Sequence, residues 1–181
     1  HNNNDYFGKI DLNEFLNETT FLQTQILFRI LKPFALSKEC ILDTIKQLKS
    51  PKQNIVQNIN PHLIMIKEYG YVIFTNQKIK DYYLKIDKEG HYELDNHTSL
   101  YITKNICNFI TSSGKLWYNI NRLPIIIRTR KNGDKIKTKN GSISVSDYLT
   151  NHKIPYLQRK QILLLCDKDD LPIAILGYII K

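Results

Sequence analysis

The stretch LPIIIRTRKNGDKIKTK, residues 123–139, decides how the chain is read. It opens on an apolar run, Ile125, Ile126 and Ile127, then turns basic with Arg128, Arg130, Lys131, Lys135, Lys137 and Lys139. Asn132, Gly133 and Asp134 stand between the two halves as a turn signal. If residues 125–130 form a strand, Ile125, Ile127 and Thr129 share one face and Ile126, Arg128 and Arg130 the other, because side chains alternate. Both arginines then point the same way, and the guanidinium fork suits phosphate oxygens. Gly133 and Asp134 reverse the chain on this reading, and Lys135, Lys137 and Lys139 again alternate onto one face. The competing reading is an exposed hairpin whose lysines keep it soluble and guard an edge strand.

The charge of the whole chain concentrates here. The 181 residues carry a net charge of +9 and a pI near 9.4. Residues 122–139 hold seven basic residues and one acidic one, so two thirds of the excess sits in this stretch. Such a distribution points to an anionic partner, most simply nucleic acid. Apolar residues, at 42%, are sufficient for a buried core, and a charged fraction of 24% is ordinary for a globular protein. Eleven tyrosines are available to stack on bases, although their places in strand patterns make core packing the default for each.

Working outward, the first third reads as helical. Asp11 to Glu14 has the form of a capping box. Thr20 is the expected cap of a longer helix carrying Phe21, Leu22, Ile26, Ile30 and Leu31 at helical spacing and ending near Pro33. Ser37 is the expected cap of a third, with Cys40, Ile41, Ile45 and Leu48 on one face. The period then changes to two, predicting strands over 54–59, 63–66 and 71–75 with turns at Asn60-Pro61 and Tyr69-Gly70. Residues 78–88 are polar and place a domain boundary near residue 80. Further strands are expected over 91–94, 100–103, 115–120, 125–130, 162–166 and 173–176. A short helix starts at Ser144 or Ser146, and a helical turn follows over 156–160. Without βαβ alternation the fold class is α+β: a helical domain with a short β-hairpin over residues 1–80, then a strand-rich, partly barrel-like domain with one or two short helices over 81–181.

Several chemistries are absent from the pattern. Ser113-Gly114-Lys115 fails as a phosphate loop, since Leu116 follows and Phe109 stands where the first glycine belongs. HExxH, GxSxG and GxGxxG do not occur. His62, His91, His97 and His152 lack metal-ligand spacing, and Asp167, Asp169 and Asp170 read as a solvated turn. No metal site and no catalytic residue is expected. Cys40, Cys107 and Cys166 are odd in number and without CxxC spacing, so they read as buried free thiols of a reducing, cytoplasmic compartment. There is no signal peptide and no apolar run long enough for a membrane. The opening HNNN reads as a tag remnant or a cut interior loop, and hence the chain as a fragment.

The same residues carry a family resemblance. Leu123 to Arg130 followed by Gly133-Asp134-Lys135-Ile136 resembles the "PL-x-V-R-x-R-x-x-GD-R-I" signature that opens the C-terminal domain of bacterial tRNA(Ile)-lysidine synthases. Lys153-Ile154-Pro155 with Arg159 resembles that family's "K/G-I-P-x-x-x-R" segment, and residues 171–177 its closing strand and glycine. Upstream, FLQTQILFRIL (21–31) resembles the first helix after the family's catalytic domain. Residues 37–50 and 63–74, with Lys67-Glu68-Tyr69-Gly70, resemble its next helix and "R-E-Y" hairpin. One departure stands out. Where the family has a lysine-rich helix start, this chain has Ile143-Ser144-Val145-Ser146-Asp147, lacking three cations at 143, 144 and 146.

The resemblance implies a parent enzyme that is an ATP-dependent carbon–nitrogen ligase using ATP and Mg. Such enzymes adenylate the wobble cytidine of tRNA(Ile) with a CAU anticodon and join lysine to it, changing codon and amino-acid specificity from Met to Ile. The SGGxDS loop that binds ATP is missing here, so the chain corresponds to the middle and C-terminal domains, with no cofactor and no activity of its own. It implies a tRNA(Ile) partner, contacted at the acceptor stem by residues 81–181, and RNA contacts from Arg128, Arg130, Lys131, Lys135, Lys137, Lys139, Arg159 and Lys160. The oligomeric state is left open, a homodimer included. From the residues alone, a non-enzymatic RNA-binding module and a basic protein-interaction domain stand beside this reading.

Overall fold

The computed structural model describes residues 6–76, 81–95, 97–121, 123–138 and 141–178; Lys139 of the basic run lies outside them. The chain divides into two compact units, residues 1–78 and 79–181.

In the first unit, Asp11 ends strand β1 (Tyr6–Asp11) and caps helix α1 (Leu12–Asn17). Its carboxylate accepts the amides of Asn13 and Glu14 at 2.9 and 3.1 Å, satisfying donors that a helix start leaves unpaired. Helix α2 (Thr20–Ile30) is capped by Thr19, whose Oγ1 accepts the Leu22 amide at 3.3 Å, not by Thr20 as expected. The extended backbone that a cap needs falls one residue earlier than the hydroxyl pattern suggested. Helix α3 (Lys38–Leu48) starts at the expected Ser37 cap and buries Ile41, Thr44, Ile45 and Leu48, with Cys40 only half-buried at the flank.

Strands β2 (Ile55–Asn60), β3 (Leu63–Glu68) and β4 (Tyr71–Thr75) complete an antiparallel sheet of order β1-β4-β3-β2. Tyr69 and Gly70 both have positive φ, 48° and 81°, the left-handed pair that a tight two-residue hairpin requires. β1 pairs with β4 around an irregularity at Gly8. A Cβ added to Gly8 would stand 2.6 Å from Ile30 Cγ2, so the glycine lets the strand pass close to α2. Phe15, Leu27, Ile41, Leu48, Met65 and Phe74 form the core. Lys67 points inward with Met65, and its ammonium donates to the Leu48 and Ser50 carbonyls at 2.9 and 2.6 Å. It thereby closes the end of α3. Among its described residues, three α-helices and a four-stranded sheet make this unit α+β; β1 adds a fourth strand to the three expected over 54–75, so the sheet is larger than a short hairpin.

The second unit begins with β5 (Tyr83–Ile86), then a meander of β6 (Gly90–Asp95), β7 (Thr98–Thr103), β8 (Ile106–Thr111) and β9 (Gly114–Asn119). After it come β10 (Ile125–Thr129), the hairpin β11 (Lys135–Thr138) and β12 (Gly141–Ser144), helices α4 (Val145–Asn151) and α5 (Tyr156–Gln161), and strands β13 (Leu163–Cys166) and β14 (Pro172–Ile175). The second four-stranded sheet has the order β14-β13-β10-β5, antiparallel throughout.

β10 is buried along its whole length because both its faces are covered. Ile125 and Ile127 pack with Leu100, Ile102, Cys107 and Phe109 of the meander. Ile126 packs on the other side with Ile136, Val145, Leu149, Leu164 and Cys166. A strand with two apolar neighbours and two covered faces reads as a continuous apolar run, which is why Ile125-Ile126-Ile127 lacks alternation. Burial pushes the Cys107 and Cys166 thiols up to about 12. Tyr118 of β9 ties the chain end to the meander: its hydroxyl accepts the Gly177 amide at 2.9 Å and lies 3.2 Å from the Ile175 and Tyr178 carbonyls. Both units are mixed, with antiparallel sheets. Among the described residues no sheet closes into a barrel, since β5 and β14 are open edges of theirs. No described helix is long and apolar enough to cross a membrane.

Candidate nucleic-acid interface

The basic residues of the organising stretch separate into an internal set and an external set. Arg128 belongs to the first. It shares a face of β10 with Ile126, as alternation requires, but that face is inward, and Arg128 is only 3% exposed. Its two terminal nitrogens donate to the two carboxylate oxygens of Asp134, both at 2.9 Å. Its Nε donates to Asp170, and Nη2 also reaches the Asp170 carbonyl at 3.2 Å. A further donor goes to the Thr129 carbonyl at 3.1 Å. Arg128 is therefore spent inside the protein and is withdrawn from the expected RNA contacts. The physical reason is the position of β10 as a covered central strand, where an arginine survives only if paired.

Asp134 does two jobs. Besides the Arg128 fork, it accepts the Lys131 amide at 2.6 Å, which shapes the 131–134 turn. Burial acts to raise its carboxyl, but the Arg128 hydrogen bonds and the Lys131 amide outweigh this, holding it below the usual carboxylate range. Asp170 is likewise held low: the Lys131 ammonium at 2.7 Å and Arg128 overcome its partial burial. The pairing with Asp134 raises the Arg128 guanidinium still further above its ordinary value. The acidic run is thus more than the solvated turn expected. Asp167 accepts the amides of Asp169 and Leu171, both at 2.9 Å, while Asp170 is half of an internal ion pair. Among the described residues no group of His, Cys, Asp and Glu is arranged to hold a metal ion.

The 131–134 turn does not fold β10 back on β11. β10 pairs with β5 and β13, whereas β11 pairs with β12 in a separate hairpin. Ile136 anchors that hairpin, 3% exposed within the apolar cluster around Val145 and Leu149. Anchoring one face of β11 fixes the other. Lys135 and Lys137 stand exposed, two residues and about 7 Å apart along the strand. Opposite them on β12 are Ser144 and Ser142. Ser144 caps α4, its Oγ accepting the Asp147 amide at 3.3 Å, so the residue at 144 serves the helix start. Val145, in the same segment, is buried.

The remaining basic residues sit at the end of β10 and on α5. Arg130, half-buried, donates from Nε to the Arg159 carbonyl at 3.3 Å, which ties its side chain to the backbone of α5. Arg159 reaches back across the loop between α4 and α5, donating to the Ile154 carbonyl and to Thr150 Oγ1, the latter at 3.0 Å. It thus fastens the Ile154-Pro155 segment as well as presenting charge. Lys160 lies over the Tyr156 ring at 5.6 Å. Lys131, although exposed, is partly neutralised by Asp170. Within residues 123–138, Lys135 and Lys137 are the exposed cations outside an ion pair, and they are the focus of the site. Compared with known proteins, the chain matches no family model and no curated protein.

Proposed function

We propose that the chain is the tRNA-gripping portion of a cytoplasmic tRNA(Ile)-lysidine synthase, the ATP- and Mg-dependent ligase that modifies the wobble cytidine of the CAU anticodon. On this reading residues 1–80 act as the middle, tRNA-binding domain and residues 81–181 as the domain that holds the acceptor stem. The observation that carries it is the outward lysine pair Lys135 and Lys137, held on a strand whose other face is locked into the core by Ile136. It falls inside the stretch whose sequence resembles the family signature. Two parallel cations on a rigid strand meet a phosphate backbone without paying for their own ordering. Arg130, Arg159, Lys160 and Lys131 are assigned further phosphate contacts on this reading. The catalytic loop belongs to a segment that the resemblance places upstream.

Titrating a tRNA(Ile) transcript with the CAU anticodon against the protein at rising KCl tests this. Neutralising three to four phosphates gives a log–log slope of about −3, at roughly −0.9 per phosphate of a duplex. Binding that is absent, or indifferent to salt, removes the RNA reading. An upstream reading frame without an SGGxDS loop removes the ligase while leaving an RNA-binding module.

A further inference from the structure

The meander has an uncovered outer face, and its composition is unusual. Strand pairing aligns Tyr101 of β7, Asn108 of β8 and Trp117 of β9 in one row, with His91 of β6 beyond Tyr101. Leu100, Ile102, Cys107 and Phe109 point the other way, into the core. Trp117 is 67% exposed and Tyr101 48%, and Ile106 flanks them in the adjoining row. Exposure of this kind is the wrong place for large rings unless something covers them. The face is not simply apolar. Asn108 donates one amide hydrogen to the Tyr101 carbonyl at 3.3 Å and keeps its amide oxygen for another partner. Exposed cations bracket the row: Lys115 two residues before Trp117, and Lys104 in the turn joining β7 to β8. The acidic side chains Glu93 and Asp95 are confined to β6, at the far edge.

We propose that this face binds unpaired nucleotides of RNA, with Tyr101 and Trp117 each stacking one base and Lys104 and Lys115 meeting the phosphates. This deepens the RNA-binding reading above and rests on it. The two rings lie about 10 Å apart across two strand spacings, room for two splayed bases with Asn108 between them to address a base edge. Every base has a stackable face, so such a platform tolerates sequence. The cations are what favour nucleotides over a neutral oligosaccharide, which would use the rings but not the charges. The acidic β6 edge directs the strand along β7 to β9.

Trp117 is the chain's single tryptophan, so its emission reports this face alone. The experiment titrates the whole chain with the single-stranded RNA U6, with a blunt-ended RNA hairpin whose loop is a non-nucleotide linker, and with cellohexaose. The expected result is saturable quenching by U6, weakened roughly ten-fold in Tyr101→Ala and several-fold in Lys115→Ala, with melting temperatures preserved because both side chains are exposed. No quenching by U6, while the RNA hairpin still binds by anisotropy, overturns the platform and spares the basic hairpin. Quenching by U6 without RNA-hairpin binding does the reverse. Failure of both RNAs overturns both proposals. Quenching by cellohexaose but not U6, or U6 affinity unmoved by both substitutions, also overturns the platform.

Discussion

Exchanging Arg128 should carry a large penalty, because its guanidinium is enclosed by the protein's own carboxylates. Replacing it with alanine leaves the Asp134 carboxylate, 9% exposed, without its cation, and breaking a buried pair from one side costs roughly 3–5 kcal/mol. Urea unfolding should therefore show a large loss for Arg128→Ala, and Arg128→Lys should recover only part of it, because an ammonium cannot fill both carboxylate oxygens. The pair also sets a pH dependence. Asp134 and Asp170 are held below their unfolded values, so the stability they contribute is present above about pH 4 and is lost as pH falls through their folded values. Thermal unfolding from pH 6 to pH 2.5 should show that decline, and Asp134→Asn should flatten it while lowering stability throughout. Strand alternation in the sequence was enough to put Ile126, Arg128 and Arg130 on one face. It said nothing about what covers that face. Asp134 lies six residues away, within the same stretch, but Asp170 lies 42 residues on, and no local pattern links it to Arg128.

Among the elements, those with a strong local signal were readable and those defined by a partner were not. The helix starting at Ser37, the tight turn at Tyr69-Gly70 and the strand at Ile125 follow from caps, turn chemistry and an apolar run. β1, β5 and β8 escaped because each is short or mixed, and becomes a strand by pairing with β4, β10 or its meander neighbours. Besides Arg128, the turn of the basic stretch was misread: Gly133-Asp134 is a turn, but it hands the chain to a new hairpin and not back to β10. At Gly8 the consequence is testable. A methyl group there meets Ile30 Cγ2 at 2.6 Å, so Gly8→Ala should cost about 1–3 kcal/mol, the usual range for overpacking, and less in an Ile30→Ala background, where Cγ2 is gone. Additive losses in that double variant would contradict the close approach of β1 to α2.

At the scale of the molecule, each unit has its own apolar core, one around Phe15 and Phe74, the others on the two faces of β10. Residues 81–181 expressed alone should accordingly unfold cooperatively in urea and keep a native-like near-UV spectrum. The net charge of +9 was legible from composition, and so was its concentration in residues 122–139. What composition could not separate is charge spent on folding from charge offered outward: Arg128 is enclosed, Lys131 is half-neutralised, and Lys135 with Lys137 remains displayed. The most direct test of that division is the salt dependence of tRNA(Ile) binding by Lys135→Ala/Lys137→Ala beside the unaltered protein, with urea stability measured in parallel. Stability should change by no more than about 0.5 kcal/mol, affinity should fall, and the log–log slope should shrink from about −3 to about −1.2. An unchanged affinity and slope would contradict that division.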